Sequence, residues 1–384
     1  MSKKLVFLFS ILVIASVLLT ACQPAATPPP APTEAPKVEA PKPTDVPKPT
    51  DAPKPTDVPK PTDAPKPADA PAAEQPKAGE PIKIGVSIME MTAYTWFLGA
   101  KVGCENYVKD HPEANFTFQF EDSRSDVQTM LNNIDNLVTW GAKGVILFPA
   151  DPNSAIPTMK QYVKQGIPFV IGDYAQQPKT DADIVWSTFV GHNMKALGVK
   201  SGEVAVEYLK TLNKEDPVAL FVSRPTSGKV AQDRIDGFSE TIKAAFPKAK
   251  IIVEGDTGAG SADSAQALVE NIFQREANID VISGHNDAEV IGAYNAAVAA
   301  KRTNIKFIGI AGTKEVLTYI SEGNPAWIGE VLQDPVVLGY QATDAMYKVL
   351  IKGEKVPPVY ELPQPTAITP ANIKDFDWKS WKWL

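Results

Sequence analysis

The chain has 384 residues, 44% of them hydrophobic, which is enough to bury one large core or two ordinary ones. Its 35 prolines are too many for a uniformly folded α/β chain, and many of them crowd into the first 81 residues. A formal net charge of −7 argues against a phosphate-backbone partner, which needs clustered Lys and Arg, so nucleic-acid binding is not expected.

Lys3 and Lys4 precede an apolar run from Leu5 to Leu19 that ends in Leu19-Thr20-Ala21-Cys22. A basic start, an apolar middle and small residues before a cleavage point make a secretory signal. Read instead as a membrane span, Leu5–Ala21 would rise only ~25 Å against a hydrocarbon core of ~30 Å. The Leu-x-x-Cys ending resembles a bacterial lipobox, which makes residues 1–22 a lipoprotein signal and Cys22 a lipid anchor. Cys104, the other cysteine, falls in a helical pattern and is expected to be a buried thiol.

Residues 23–80 are built from Pro, Ala, Lys, Thr and Asp, with successive PKPTDV, PKPTDA and PKPADA units ending at Ala70. Such spacing blocks helix and sheet, favours polyproline II and buries nothing. The segment reads as a solvated, disordered tether with a reach approaching ~180 Å if extended.

From Pro81 the pattern changes to apolar strands alternating with amphipathic helices. Strands are expected at Ile82–Ile88, Phe116–Glu121, Gly144–Phe148, Phe169–Gly172, Val218–Val222, Lys250–Glu254, Val281–Ser283 and Lys306–Ile310. Between them run helices, the clearest over Asp126–Trp140 with Val127, Leu131, Ile134, Leu137 and Val138 on one face. Repeated strand and helix imply parallel sheets with right-handed crossovers, and the two runs imply two Rossmann-like, doubly wound α/β lobes. The first lobe is expected over 81–191 and 334–362, the second over 192–333 and 363–384. Trp327–Leu332 then reads as a strand, Pro335–Ile351 as a helix and Lys355–Leu362 as extended, a helix and strand left over to complete the first lobe. The terminal Trp378, Trp381 and Trp383 read as a cover over the second lobe.

Seven stretches, in order, carry a family resemblance: IGVSI with the aromatics after it, WGAKGVILFPADPNSAIP at 140–157, GIPFVIGD at 166–173, AQDRIDGF at 231–238, ISGHNDAEVIGAY at 282–294, FIGIAGTKE at 307–315 and LQDPVVLGYQA at 332–342. Together they resemble the ribose-type (type I) periplasmic sugar-binding proteins of ABC importers. The resemblance implies two lobes joined by three crossings, closing about a hinge on a ligand held in the cleft. It places Trp96 and Phe97 as stacking aromatics, since two consecutive aromatics at a strand exit are not expected to face one core. Asp173 ends a strand where a carboxylate can accept from two hydroxyls, with a helix cap as the bland alternative. Arg234 offers a planar fork of donors, Asn286 an amide that could equally cap a helix, and Gln333 a contact to ligand and hinge alike.

Two positions depart from the pattern. Tyr174 stands where the family often has Arg, and Ala311 where it has Asp, so ribose itself is not expected as the ligand. The loop 89–95 is longer than the usual family loop, so Glu90 or Tyr94 is expected to enter the pocket in compensation, and Tyr94 and Tyr174 are counted among the expected ligand-binding residues. No HExxH, paired-Cys or close carboxylate spacing surrounds His111, His192 or His285, and the GAG and SGKV stretches lack the residues of dinucleotide and phosphate loops. An enzyme is therefore not expected, nor a cofactor or metal. The expected function is an extracytoplasmic, lipid-anchored, monomeric receptor that delivers a small polyhydroxylated ligand, a sugar, to an ABC permease; the same fold could instead present its ligand to a membrane kinase or chemoreceptor.

Overall fold

A computed structural model describes residues 79–92, 95–173, 184–255, 260–381 and 383. The signal segment with Cys22, the tether up to Ala78, Tyr94 and Tyr174 all lie outside the described residues.

Two six-stranded sheets form the described chain. The first contains β1 (Ile82–Ile88), β2 (Phe116–Asp122), β3 (Gly144–Phe148), β4 (Phe169–Gly172), β5 (Thr188–Gly191) and β11 (Val359–Glu361), in the order β11-β5-β4-β3-β1-β2. The second contains β6 (Val218–Ser223), β7 (Lys250–Gly255), β8 (Val281–Gly284), β9 (Lys306–Ala311), β10 (Trp327–Leu332) and β12 (Thr366–Ile368), in the order β12-β10-β9-β8-β6-β7. Apart from the antiparallel β12, every pairing is parallel, and the two orders match strand for strand. Runs such as GVILF in β3 and FVIG in β4 are wholly buried, as parallel strands covered on both faces must be.

Helices follow most strands: α1 (Trp96–Asp110), α2 (Val127–Trp140), α3 (Pro152–Val163), α4 (Met194–Lys210), α5 (Lys229–Ala245), α6 (Ala262–Arg275), α7 (Asp287–Ala299), α8 (Lys314–Ser321) and α9 (Pro335–Leu350). Their starts are written in the sequence. Asp126 accepts from the Thr129 amide at 2.7 Å, and Asp334 accepts from Val336 and Val337 with Pro335 in the first turn. Gly141, at φ 98°, ends α2 in the left-handed conformation that favours glycine.

The chain passes between the sheets at 192–193, at 333–334 and at 362–365. After the second passage α9 packs on α1 and β11 pairs with β5; after the first, α4 packs on α5 and against β9 and β10. Each sheet thus carries one helix delivered from the other run of chain. The α1–α9 crossing is close because it meets at glycines. A methyl group at Gly339 would land on the Ala100 carbonyl, and Cys104, fully buried beside it, points its Sγ at the Gly339 carbonyl at 3.5 Å. Burial pushes that thiol up to about 12, so it stays protonated and inert.

The carboxyl-terminal tail reaches both cores. Ile373 and Trp378 are buried with the second sheet's Trp327 and Phe307, as a cover over that lobe requires. Trp383, however, is buried with Trp96, Phe97 and Leu338 of the first, and it stacks on Trp381 with ring centroids 5.2 Å apart. The expectation of a cover over one lobe is corrected to that extent: three tryptophans within six residues have more apolar surface than one lobe takes up.

Beneath the end of β9 lies a buried acid pair. Glu330 Oε1 accepts the Ala311 and Gly312 amides at 2.8 and 2.6 Å, and Asp287 Oδ2 accepts the Thr313 amide at 2.8 Å. The remaining oxygens, Glu330 Oε2 and Asp287 Oδ1, have no other partner, and both stand where a side chain at Gly309 would have to go. Two carboxylates cannot share such a site ionised. Burial and the neighbouring Asp287 push Glu330 well above the carboxylate range, and burial raises Asp287 as well, so the pair holds a proton.

Gly339→Ala is expected to force α1 and α9 apart at a cost of about 1–3 kcal/mol, read from urea melts; an unchanged midpoint would show that the crossing is not tight. The acid pair gives a second test. A carboxyl raised in the folded state stabilises it fully below the unfolded pKa and loses that contribution as pH rises through the folded value, with a slope of up to about 1.4 kcal/mol per pH unit for one proton. Glu330→Gln keeps an acceptor for the two amides and a donor for Asp287. It should therefore gain stability over the parent as pH rises above the ordinary carboxylate range, whereas melting curves that stay parallel from pH 5 to 9 would refute the shared proton.

Candidate functional site

Each strand of a doubly wound sheet delivers its next residue to the carboxyl edge, and here the two carboxyl edges frame one cavity of about 280 Å³. Met89 follows β1, Asp173 follows β4, Arg224 follows β6, His285 and Asn286 follow β8, and Gln333 follows β10. Helix starts supply the rest: Trp96 and Phe97 from α1, Met194 from α4, and Val230 and Arg234 from α5, with Ala150 and Ser227 between. Six of the residues expected from sequence, Trp96, Phe97, Asp173, Arg234, Asn286 and Gln333, are thus brought to one cavity.

A hydrogen-bonded chain crosses that cavity. Gln333 Nε2 donates to Asp173 Oδ1 at 3.2 Å, and Arg234 Nη2 donates to Gln333 Oε1 at 2.9 Å. Arg234, 4% exposed, also donates to the His285 carbonyl through Nη1 and lies 3.3 Å from the Met194 sulfur. Asp173 holds φ at 69°, a left-handed conformation rare outside glycine, fixed by its amide donating to the Val190 carbonyl at 2.9 Å. That conformation turns the carboxylate out of the strand and towards Gln333. Burial raises its pKa to about 6, while Arg234 and the Gln333 amide pull the other way. His192 and His285 are driven the opposite way: burial first and Arg234 second push both well below the usual imidazole value, so both are neutral.

The expectation that two consecutive aromatics would not face one core needs correcting. Trp96 is 4% and Phe97 3% exposed, and both belong to the first sheet's apolar cluster with Ile88, Phe148 and Leu338. Two consecutive aromatics do face one core, because at the first turn of α1 the rings meet edge to face, with centroids 4.9 Å apart, instead of diverging. The Trp96 indole N–H is taken by the Gln333 carbonyl at 2.9 Å. Both residues also line the cavity.

Asn286 is a helix cap as well as a lining residue. Its side chain accepts from the Ala288 amide at 3.2 Å, and Glu289 reaches back to the Asn286 amide at 3.2 Å, a reciprocal capping box for α7. Glu289 has a second task that sequence reading missed. Buried at 0% exposure, it accepts from Arg224 Nε at 2.7 Å and Nη2 at 2.6 Å, and Gly260 O takes a further bond at 3.2 Å. Arg224 is thereby held rigid at the cavity wall. The signal was available: Arg224 directly follows β6 as Asp173 directly follows β4. Glu90 does not line the cavity; it accepts from the Thr92 amide and hydroxyl at 2.9 and 2.8 Å within its own loop. Ala311 likewise turns inward, its amide held by Glu330.

The arrangement suits a neutral, oxygen-rich molecule. One edge gives a carboxylate, the other two guanidiniums and an amide, while Met89, Met194, Ala150 and Val230 provide apolar walls. Among the described residues no cluster of His, Cys, Asp or Glu could hold a metal ion, and no helix is long and apolar enough to cross a membrane.

Comparison with known proteins agrees with this architecture. The chain is 26% identical to a xylitol-binding protein of Mycolicibacterium smegmatis over 76% of this chain and 78% of that one. It is 24% identical to a D-ribose/D-allose-binding protein of Pseudomonas aeruginosa over 62% of this chain and 73% of the relative. Its fold is shared with an ABC transporter periplasmic solute binding protein from Actinobacillus succinogenes 130z solved with bound D-allose, at a TM-score of 0.66 and 18% identity, covering 77% of this chain and all of that one. The family model for the periplasmic binding protein domain matches residues 84–355, and the chain belongs to that family.

Proposed function

We propose that this chain is an extracytoplasmic receptor that captures a small polyhydroxylated solute, a sugar or polyol, between its two lobes and delivers it to an ABC permease. The observation that carries this reading is the Asp173–Gln333–Arg234 chain, in which a single side chain at a crossing bonds a carboxylate of one lobe and a guanidinium of the other. A vicinal diol entering beside it finds an acceptor on one side and donors on the other, the pattern that hydroxyls satisfy in pairs. The relatives are a xylitol-binding and a D-ribose/D-allose-binding protein, and those ligands belong to the same chemical class. Binding rather than catalysis fits the site, since His285, the histidine among its described lining residues, is buried and neutral.

Closure follows from where the contacts are. A ligand held by Asp173 alone, or by Arg224 and Arg234 alone, gains half of the available bonds; bringing the lobes together adds the other half and removes water from both. The closed form is therefore the one the ligand selects, and its rims make the surface a permease would read. The lipobox at Cys22 and the Pro-rich tether would hold the receptor at a membrane while leaving it free to reach that permease.

A thermal-shift screen of xylitol, D-ribose, D-allose and related polyols tests the reading, because a solute that binds only the folded protein must raise its melting temperature. At least one should do so; a panel without a shift would sink the sugar and polyol assignment. For the solute that binds, Asp173→Ala should lower calorimetric affinity by about 10- to 100-fold, the range of a hydrogen bond to a charged group, in a protein that stays folded but melts lower, because the Gln333 amide loses its acceptor and alanine is strained at this left-handed position. Unchanged affinity would remove Asp173 from the site.

A further inference from the structure

Beside the cavity described above lies a second, of about 260 Å³, lined by Asp173, Phe189, His192, Asn193, Met194, Lys229, Val230, Asp233, Val359 and Glu361. The two share a partition of three side chains, Asp173, Met194 and Val230. The partition is slight: one carboxylate, one flexible thioether and one valine.

The second cavity has the chemistry of a built subsite. His192 is 9% exposed, burial holds its imidazole neutral, and its Nδ1 has no hydrogen-bond partner in the protein. A neutral imidazole buried with an unmet nitrogen is costly unless a polar guest meets it. Two further acceptors stand on opposite sides, Asp233 on α5 and Glu361 on β11, the first bonded to Lys229 at 2.6 Å. Phe189 and Val359, paired across β5 and β11, supply an apolar floor. Aromatic and aliphatic floor, carboxylates at the rim and a neutral donor-acceptor ring are what a second sugar ring would use. Asp173, which lines both cavities, accepts from Gln333 through Oδ1, so its other oxygen is placed to serve a hydroxyl from either ring.

We infer that the cleft takes a two-ring glycoside, a disaccharide-sized neutral ligand with one ring in each compartment and its glycosidic bond passing the Asp173–Met194–Val230 partition. This rests on the sugar and polyol reading above and narrows it. The first ring is held by Gln333, Arg224 and Arg234, and the second by His192, Asp233 and Glu361.

Calorimetry on the full chain with matched pairs decides it: xylose with xylobiose, glucose with cellobiose and maltose, galactose with lactose. One disaccharide should bind at least about tenfold tighter than its parent monosaccharide. Val359→Trp, at an edge-strand position 52% exposed and absent from the lining of the first cavity, should fill the second compartment, abolish that advantage and leave monosaccharide affinity within about twofold. Monosaccharides that bind tighter than every disaccharide, with Val359→Trp without effect on either, would overturn the second ring and leave the receptor for single sugars standing. Failure of every sugar here, together with xylitol, D-ribose and D-allose, to bind would overturn both readings.

Discussion

Gln333 is the constraint on which the rest of the structure depends. It stands at the second passage between the sheets, and three of its bonds tie separate parts of the molecule: its carbonyl takes the Trp96 indole, its amide nitrogen reaches Asp173, and its amide oxygen receives Arg234. Trp96 belongs to the first core and Arg234 to a helix of the second sheet, so one 7%-exposed residue, through its backbone carbonyl and its side-chain amide, registers the two halves against each other. A buried amide of this kind has no slack. Losing either neighbour leaves a donor or acceptor unmet in a dry setting, and the register of the cleft is specified by that penalty.

Charge is distributed to the same end. Arg224 is neutralised by a fully buried Glu289, Arg234 is matched through an amide to Asp173, and the Asp287–Glu330 pair is kept beneath the loop 311–313 with a proton of its own. What reaches the cavity is a set of oriented donors and acceptors with little net field. At Ala311 the acid that grips the backbone amide comes from the neighbouring strand β10 and faces the interior.

The architecture was legible because its determinants are local. Strands such as Ile82–Ile88 and Gly144–Phe148 are short apolar runs bounded by turns, and Asp126 and Pro335 announce their helices directly. β5 and β12 were not marked, since Thr188–Gly191 and Thr366–Ile368 are too short for alternation to show. At the site, Asp173, Arg234 and Gln333 could be named from their places after strands and in a helix. The orientation of Trp96 and Phe97 could not, because it depends on Leu338 and Trp383, far along the chain. Arg224 was overlooked for a similar reason: its partner Glu289 lies 65 residues away and read only as part of a helix start.

The tail carries a mechanical consequence. With Trp378 seated in one core and Trp383 in the other, the chain spans the two sheets a fourth time, beyond the passages at 192–193, 333–334 and 362–365. Three parallel straps allow two bodies to bend and also to shear or rotate on one another. A further strap with a bulky ring sunk at each end resists twisting far more than folding, because twisting must drag an indole through packed side chains. Such a strap would favour opening and shutting of the cleft over twisting, and would direct the free energy of a captured solute into that motion.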